Sequence, residues 1–435
     1  MFTLDSAVTL LRQFIRINTS NPPGNEEEAI LFLEALLHRE GIRSQVFSST
    51  PRRANILATI EGKRREKPIV LLGHVDTVPA RDDEWGVDPF GGEIKDGFLY
   101  GRGTIDMKSQ IICQLLSFIH LYQQGIAPEH DIVFLATCDE EVGGEHGVKY
   151  ILDRVPYLKD AAFVLSEGGC ITEEDGVLHA QISVSEKILS QFMIVARGKG
   201  GHGSLPHKDN ANEKIIHASK AILSYNWPFT PTRIVTAYLN GILKGKKGKG
   251  FTYTTLHETL KKKAFKTYVE ANPVYNALLR NTVTLTILQG GDKVNVIPTE
   301  SRATFDARLL PTERHEDFFK IISKLCGDQI EVQPLRSGHS MPRSSFYNTR
   351  YFKTIGRVVK HLKGAIPILP FLTTGATDLR YFRNQGITAY GFFPITLPKE
   401  ELLRMHGVNE RISIENLREG LEGTYRIVES LASLI

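Results

Sequence analysis

The chain has 435 residues and is 41% hydrophobic, which is too long for one compact core of ordinary size and supplies apolar side chains for two. Its 53 basic and 49 acidic residues give a net charge of only +4, which excludes the dense basic surface of a nucleic-acid-binding protein. No run of about 18 uncharged apolar residues occurs. We therefore expect two domains, a small-molecule or peptide substrate, and no nucleic-acid or membrane partner.

The N-terminal residues, Met1 to Val8, contain no basic stretch followed by an apolar run, as a secretory signal would. A cytoplasmic location is therefore expected. The four cysteines are scattered without a C-x-x-C spacing, so neither a disulfide framework nor a thiolate zinc site is predicted.

The first half of the chain alternates between helical and strand-like patterns. Apolar residues at helical spacing predict two helices, around residues 10–15 and 30–37, separated by Asn21-Pro-Pro-Gly24. Short, nearly continuous apolar runs are typical of strands covered on both faces, and they occur at 56–60, 69–72, 132–136 and 161–165. A long helix is predicted between the second and third runs, over 107–124. This order predicts an α/β domain with a mostly parallel sheet covered by helices.

From about Lys187 the pattern changes to alternating apolar and polar residues, which indicates a sheet with one exposed face. The α/β pattern returns after Pro311. We therefore predict that residues 1–188 and 310–435 form one large domain, and that residues 189–309 form a smaller α+β domain inserted into it. Within the insertion, the lysine- and glycine-rich segment 244–250 is predicted to be a surface loop.

Several polar side chains follow the apolar runs directly. His74 and Asp76 follow the second run and point to the same side of an extended chain, so the carboxylate could orient a metal-binding imidazole. Alone, such a histidine is more often structural. Asp106 lies where a glycine-rich loop enters the long helix, and alone it would be most simply a helix N-cap.

The remaining polar segments favour a shared metal site over separate roles as a structural histidine and a helix N-cap. Glu140 and Glu141 follow the third run within three consecutive carboxylates, which repel one another unless a cation compensates them. Glu167 follows the fourth run, and His406 precedes a final helix. Because the carboxyl ends of parallel strands line one crevice, the two histidines and three carboxylates around Asp106 could hold a pair of zinc ions.

The ordered motifs from Ile17-Asn-Thr-Ser-Asn-Pro-Pro-Gly-Asn-Glu26 to His406 resemble the metallopeptidases that include carboxypeptidase G, aminoacylase, acetylornithine deacetylase and succinyl-diaminopimelate desuccinylase. The resemblance implies a catalytic domain interrupted by a lid or dimerisation domain. It implies two Zn²⁺ ions, with Co²⁺ or Mn²⁺ as possible substitutes, bridged by Asp106 and a hydroxide. His74 and Glu167 would hold one ion, and Glu141 and His406 the other.

The same resemblance implies roles for other residues and a substrate class. Asp76 would brace His74, and Glu140 would be the general base for hydrolysis of N-acyl amino acids or C-terminal peptide bonds. His202 would reach a catalytic site, often that of a partner subunit, and would donate to the developing oxyanion. Four residues match substrate-binding positions of the family: Asn295, Arg308, Gly375 and Thr377. Of these, Arg308 is best suited to bind a carboxylate.

The extra sequence from about residue 243 to 275 lengthens the lid, a feature closer to the carboxypeptidase S and N-fatty-acyl-amino-acid hydrolase branch. A homodimer through the lid is expected from the family, although a longer lid could cover that edge and leave a monomer.

Three other functions are compatible with parts of the sequence. An aminopeptidase or dipeptidase would need an anchor for a free amine, and a non-catalytic metal- or peptide-binding relative would not need Glu140. Gly198-Lys-Gly-Gly-His-Gly203 satisfies the dinucleotide-binding pattern G-x-G-x-x-G, but the residues after it do not begin a helix, which argues against an oxidoreductase.

Overall fold

The computed structural model describes residues 3–247, 253–335 and 343–434. The helices in these ranges are α1 (Leu4–Ile15), α2 (Glu27–Arg39), α3 (Lys108–Gln123), α4 (Val148–Arg154), α5 (Ala211–Ser224), α6 (Arg233–Lys247), α7 (Tyr253–Leu260), α8 (Lys263–Ala271), α9 (Pro273–Leu279), α10 (His315–Cys326), α11 (Arg350–Lys363), α12 (Leu379–Asn384), α13 (Lys399–Leu402) and α14 (Ile414–Ala432).

The strands in these ranges are β1 (Ser44–Thr50), β2 (Arg53–Ile60), β3 (Arg64–His74), β4 (Ile94–Lys95), β5 (Phe98–Tyr100), β6 (His130–Thr137), β7 (Phe163–Ser166), β8 (Ile171–Glu174), β9 (Val177–Glu186), β10 (Ile188–Leu189), β11 (Phe192–Arg197), β12 (Gly201–His202), β13 (Thr282–Gln289), β14 (Val296–Ile297), β15 (Glu300–Leu309), β16 (Ile330–Pro334), β17 (Ile368–Thr373), β18 (Ala389–Gly391) and β19 (Arg411–Ser413).

A nine-stranded sheet forms the centre of the large domain. Its order is β1-β2-β6-β3-β7-β18-β9-β17, with β8 paired to β9. The central strands β6, β3, β7 and β18 run parallel, whereas β1, β2 and β8 join their neighbours antiparallel. The prediction of an α/β fold with a mostly parallel sheet and an additional smaller sheet is confirmed.

Strand β3 is buried on both faces, as its continuous apolar run predicts. Ile69 and Leu71 pack into the core shared with α1, α3 and α14, and Val70 and Leu72 pack into the core shared with α4 and α12. Burying one such side chain contributes roughly 1.5–3 kcal/mol, so a polar substitution on either face would be costly. This two-sided burial fixes where the strand ends, and therefore where His74 lies.

Helix α3 lies against the large sheet and carries the loop with Asp106 at its N-terminal end. Its sequence contains neither glycine nor proline, and it ends before Gly125, whose φ of +66° favours glycine. The observed span, Lys108–Gln123, agrees with the predicted one. None of the helices in the described ranges is long and apolar enough to cross a lipid bilayer.

The second sheet is antiparallel and has its own core. It contains β10, β11, β13, β15 and β16, and it is covered by α5 and α10. Phe192 of β11 stacks on Phe305 of β15 with ring centroids 5.0 Å apart. This sheet extends past residue 309, where the sequence analysis ended the inserted domain, because β16 pairs with β11. The helix and strand that follow residue 309, α10 and β16, have a local sequence pattern that fits either domain, so the sequence did not show to which domain they belong.

Residues of helices α6 to α9 belong to the core of the large sheet, so the extra sequence does not simply enlarge the lid. Tyr238 of α6 contacts Phe371 of β17 with ring centroids 5.2 Å apart, and the hydroxyl of Tyr275 donates to Asp175 over 2.7 Å. The prediction of a surface loop over residues 244–250 also differs from the structure. Helix α6 continues to Lys247, and residues 248–250 lie outside the described ranges.

Candidate active site

His74 is the last residue of β3 and is almost fully buried. Its Nδ1 lies 3.0 Å from the backbone oxygen of Asp76 and 3.5 Å from a carboxylate oxygen of the same residue. The contact with the backbone oxygen favours a proton on Nδ1, which leaves Nε2 directed at the acidic cluster. Asp76 therefore braces His74 through both its main chain and its side chain.

Asp106 lies between the two histidines. Its Oδ1 is 3.0 Å from Nε2 of His74, and its Oδ2 is 3.0 Å from Nε2 of His406. The loop that carries it is held by Glu410, whose carboxylate accepts hydrogen bonds from the backbone N–H groups of Ile105 and Asp106. Because its two oxygens point to different histidines, Asp106 can bridge two metal ions.

The acidic turn after β6 supplies two further carboxylates. Residues Glu140–Val142 form a short 3-10 turn, and Asp139 before it has a φ of 74°, in the left-handed region. Glu141 places Oε1 3.4 Å from Nε2 of His406, whereas Oε1 of Glu140 lies 3.9 Å from Nη1 of Arg380. The two neighbours therefore contact different groups.

Glu167 follows β7 directly and completes the cluster. Its Oε1 lies 3.6 Å from Nε2 of His74. Two sets of three donors result, one of His74, Asp106 and Glu167 and one of Asp106, Glu141 and His406, each with its ligand atoms within 4.8 Å of one another. Imidazole and carboxylate donors of this kind suit zinc and related divalent cations.

The electrostatics of the cluster fit bound cations. Burial and the neighbouring Asp106 raise the pKa of Glu167 to about 8. Burial alone would lower the pKa of His406, but its contacts with Asp106 and Glu141 raise it to about 11. The carboxylates thus draw protons onto the imidazoles, which shows that the cluster requires positive charge. Two divalent cations would supply that charge in place of the protons.

Glu140 belongs to neither donor set. Burial raises the pKa of its carboxyl group well above the usual value, against the lowering effect of His74. Arg380 lies nearby, with Nη1 3.9 Å from Oε1 of Glu140. A buried carboxylate with a raised pKa, facing the cavity beside the metal ligands, is suited to accept and release a proton.

A cavity of about 710 Å³ opens from the metal ligands towards the second sheet. Arg308 of β15 also lines the cavity, and its guanidinium donates to both carboxylate oxygens of Asp306 over 2.7 and 3.0 Å. Gly375 and Thr377 also line the cavity. The side chain of Thr377 is engaged, because its hydroxyl donates to Glu186 over 2.8 Å.

The cavity wall is largely apolar. Its apolar side chains include Phe371, Phe393, Ile395, Leu397 and Leu402 from the second chain segment of the large domain. Such a wall can accept a hydrocarbon group next to the metal ligands.

His202 and Asn295 lie away from this cavity. His202 belongs to the small two-stranded sheet of β12 and β14, and Asn295 directly precedes β14. The backbone N–H of Gly203 donates to the backbone oxygen of Asn295 over 2.8 Å. His202 is exposed, and its Nδ1 contacts the hydroxyl of Ser204. Within one chain, the structure does not bring these two residues to the metal ligands.

Several buried charged residues around the site were missed by the sequence analysis. Lys187 lines the cavity, Arg380 approaches Glu140, and Arg102 donates to Glu410 over 2.6 Å. Each makes a contact with a residue that is distant in the sequence. Only the position of Lys187 beside Glu186, where the sequence pattern changes, could have drawn attention to it.

Comparison with known proteins assigns this geometry to a family. The family model described as Peptidase family M20/M25/M40 matches residues 70–430, which is most of the chain. The chain belongs to this peptidase family. The match includes every candidate metal ligand and Glu140, and the resemblance stated from the sequence motifs is confirmed.

Named relatives of this M20-family chain cover nearly its whole length. The N-fatty-acyl-amino acid synthase/hydrolase PM20D1 of Xenopus tropicalis is 29% identical over 430 residues, covering 94% of this chain and 82% of the relative. Aminoacylase-1 of Mus musculus is 26% identical over 435 residues, covering 98% of this chain and 96% of the relative.

The M20 fold also matches solved structures. The crystal structure of the M20 family metallo-carboxypeptidase Sso-CP2 from Sulfolobus solfataricus superposes with a TM-score of 0.74 at 19% identity, covering 98% of this chain and 99% of that one. Family membership, together with the two donor sets, confirms the prediction of a metallohydrolase that acts on amide bonds.

Proposed function

We propose that this M20-family chain is a zinc-dependent amidohydrolase that cleaves N-acyl amino acids or C-terminal peptide bonds beside a free carboxylate. The observation that carries this proposal is the position of Asp106 between two donor sets in the wall of a cavity that Arg308 also lines. The donor sets suit metal-assisted hydrolysis, and Arg308 suits an anionic group of the substrate.

The metal ligands divide into two groups around Asp106. His74 and Glu167 would hold one cation, and Glu141 and His406 the other. Zinc is favoured by the mixture of imidazole and carboxylate donors, with cobalt or manganese as substitutes. When bound, such a pair lowers the pKa of a water molecule and polarises the scissile carbonyl group.

Glu140 moves the proton in this proposal. Its carboxylate accepts a proton from the attacking water and delivers it to the nitrogen of the departing amine. The raised pKa of the buried carboxyl group supports both halves of this role, because the group must gain and lose a proton at neutral pH.

Arg308 would bind the free carboxylate of the substrate. The guanidinium group forms two parallel hydrogen bonds with a carboxylate, and it already does so with Asp306. The backbone of Gly375 and Thr377 would border the substrate on the neighbouring wall. The apolar wall supports an acyl group of hydrocarbon character, in agreement with the name of the Xenopus tropicalis relative, an N-fatty-acyl-amino acid synthase/hydrolase.

His202 and Asn295 would act on the cavity of a partner subunit. Their exposure on the small β12–β14 sheet, outside the cavity of their own chain, supports this arrangement. Val294 and Val296 beside them are also exposed and would be covered in a homodimer through the second domain. His202 would there donate to the developing oxyanion.

Hydrolysis of a matched substrate pair tests the proposal. Zinc-loaded protein is expected to cleave N-dodecanoyl-leucine but not N-dodecanoyl-leucinamide, which lacks the free carboxylate, and chelated protein is expected to cleave neither. Equal cleavage of both compounds would contradict the carboxylate requirement. A requirement for a free amino group on the substrate would instead indicate an aminopeptidase.

A further inference from the structure

Lys187 is a buried cation in the wall of the substrate cavity. It lies between the end of β9 and the start of β10, where the chain passes from the large sheet to the second sheet, and only 1% of its surface is exposed. Lysine is almost never buried to this degree unless its charge is paired. The groups that contact the ammonium group therefore indicate its function.

The ammonium group makes two hydrogen bonds, both to uncharged acceptors. Nζ donates to the backbone oxygen of Arg280 over 3.0 Å and to the hydroxyl of Thr282 over 3.1 Å. An ammonium group has three N–H donors, so one remains after these contacts. Among the residues that the structure describes, no carboxylate forms an ion pair with it.

Lys187 is held next to Arg308 by the second sheet. Arg308 of β15 is the direct cross-strand partner of Leu189 on one side and of Thr282 on the other. Lys187 lies two residues before Leu189 in the chain, and its ammonium group donates to Thr282. Lys187 is therefore connected to the residues that pair with Arg308 on both neighbouring strands. Both cations line the same cavity.

The charges at this end of the cavity do not balance. Asp306 is the nearby anion, and both of its oxygens accept from Arg308. Burial first and Arg308 second lower the pKa of Lys187 to about 7, against the opposing effect of Asp306. Two cations and one anion leave one positive charge, which a ligand carboxylate would neutralise.

We propose that Lys187 is a second binding residue for the substrate carboxylate, donating its remaining N–H to one carboxylate oxygen while Arg308 binds the other. This inference rests on the proposed function. It assigns to the junction between the two sheets a direct role in selecting anionic substrates. Because Lys187 is anchored to Thr282, it would keep this position whether or not Arg308 exchanges its bonds with Asp306.

Steady-state kinetics of Lys187→Met with zinc-loaded protein tests the inference. We expect the KM for N-dodecanoyl-leucine to rise about tenfold or more while kcat changes less than threefold, since a charge-assisted hydrogen bond is lost from substrate binding. The inhibition constant of the uncharged competitor N-dodecanoyl-leucinamide should stay within twofold. Lys220→Met, which removes an exposed lysine of α5, is the control and should change neither constant.

Thr282→Val provides a second variant if Lys187→Met does not fold. It retains the lysine and removes its side-chain acceptor, so KM for the free acid alone should rise severalfold. A KM within twofold of wild type in a folded Lys187→Met or Thr282→Val protein would overturn the inference and leave the proposed function intact. Absence of wild-type cleavage of N-dodecanoyl-leucine would overturn the proposed function, and this inference with it.

Discussion

The carboxylate of Asp76 accepts hydrogen bonds from the backbone N–H groups of Glu140 and Glu141, each over 3.1 Å. The same carboxylate accepts from the side-chain amide of Asn21 over 2.9 Å. Asp76 therefore joins the end of β3, which carries His74, to the turn that carries Glu140 and Glu141. Its role is wider than the bracing of one histidine.

Replacing Asp76 with asparagine should weaken metal binding. The amide has one acceptor oxygen, so one of the two turn N–H groups loses its partner and faces a donor. We expect zinc affinity, measured by competition with a chromophoric chelator, to fall about 10–100-fold. A loss of this size is typical when a residue that hydrogen-bonds to a metal ligand is removed. The exposed Asp83→Asn is the control. Unchanged affinity in Asp76→Asn would show that the turn is held without this carboxylate.

Replacing Glu140 with glutamine should separate catalysis from metal binding. Glutamine cannot accept the proton, so kcat should fall by about 10²–10⁴-fold, while elemental analysis still finds near two zinc ions per chain. Asp106→Asn is the matched comparison, because it removes the shared ligand and should lose zinc together with activity. Loss of zinc from Glu140→Gln would make Glu140 a ligand and not the base.

Much of the site was predictable because the ligands follow directly from buried strands. His74 and Glu167 end or follow β3 and β7, whose continuous apolar runs are visible in the sequence. Once the strands are parallel neighbours, their carboxyl ends meet, and the polar residues after them converge. The local pattern therefore predicted both the fold class and the cluster.

Other contacts depend on residues that are distant in the chain and have no local pattern. Glu410 accepts a hydrogen bond from Ile105 in the Asp106 loop, although the two residues are 305 positions apart. Lys187 donates to Arg280, which is 93 positions away in the chain. The packing of α6 against β17 was missed for a related reason. An amphipathic helix shows which face is buried, but not which sheet will cover that face.

A mixing experiment tests whether His202 acts across a dimer. His202→Ala and Glu140→Gln proteins should each be nearly inactive alone. Under conditions of subunit exchange, an equimolar mixture should regain about a quarter of wild-type activity, because half of the dimers then contain one complete site. Light scattering should find a dimer. A monomeric protein, or no recovery on mixing, would show that His202 does not act across a dimer.

Glu26 should make stability depend on pH. Neither of its buried carboxylate oxygens has a hydrogen-bond partner among the described residues, and burial first and Asp76 second raise its pKa to about 7. The folded state thus favours the protonated form, so this contribution is complete below pH 4.5 and is lost as pH rises to about 7.

Glu26→Gln removes this loss, because glutamine does not ionise. We expect the melting temperature of metal-stripped protein to rise by about 2–5 °C over wild type at pH 8, with little difference at pH 4. Arg53, whose Nη1 lies 3.7 Å from Oε1 of Glu26, offsets part of the gain. A variant that is less stable than wild type at pH 8 would show that Glu26 is ionised and stabilising.

Titration of metal-free protein with zinc, followed by the rate of N-dodecanoyl-leucine hydrolysis, tests the central claim most directly. The two donor sets joined by Asp106 predict that activity appears with added zinc, saturates at about two equivalents per chain, and is abolished by a chelator. Full activity in metal-free protein, or no hydrolysis of any acyl amino acid once two equivalents are bound, would contradict a zinc-dependent amidohydrolase.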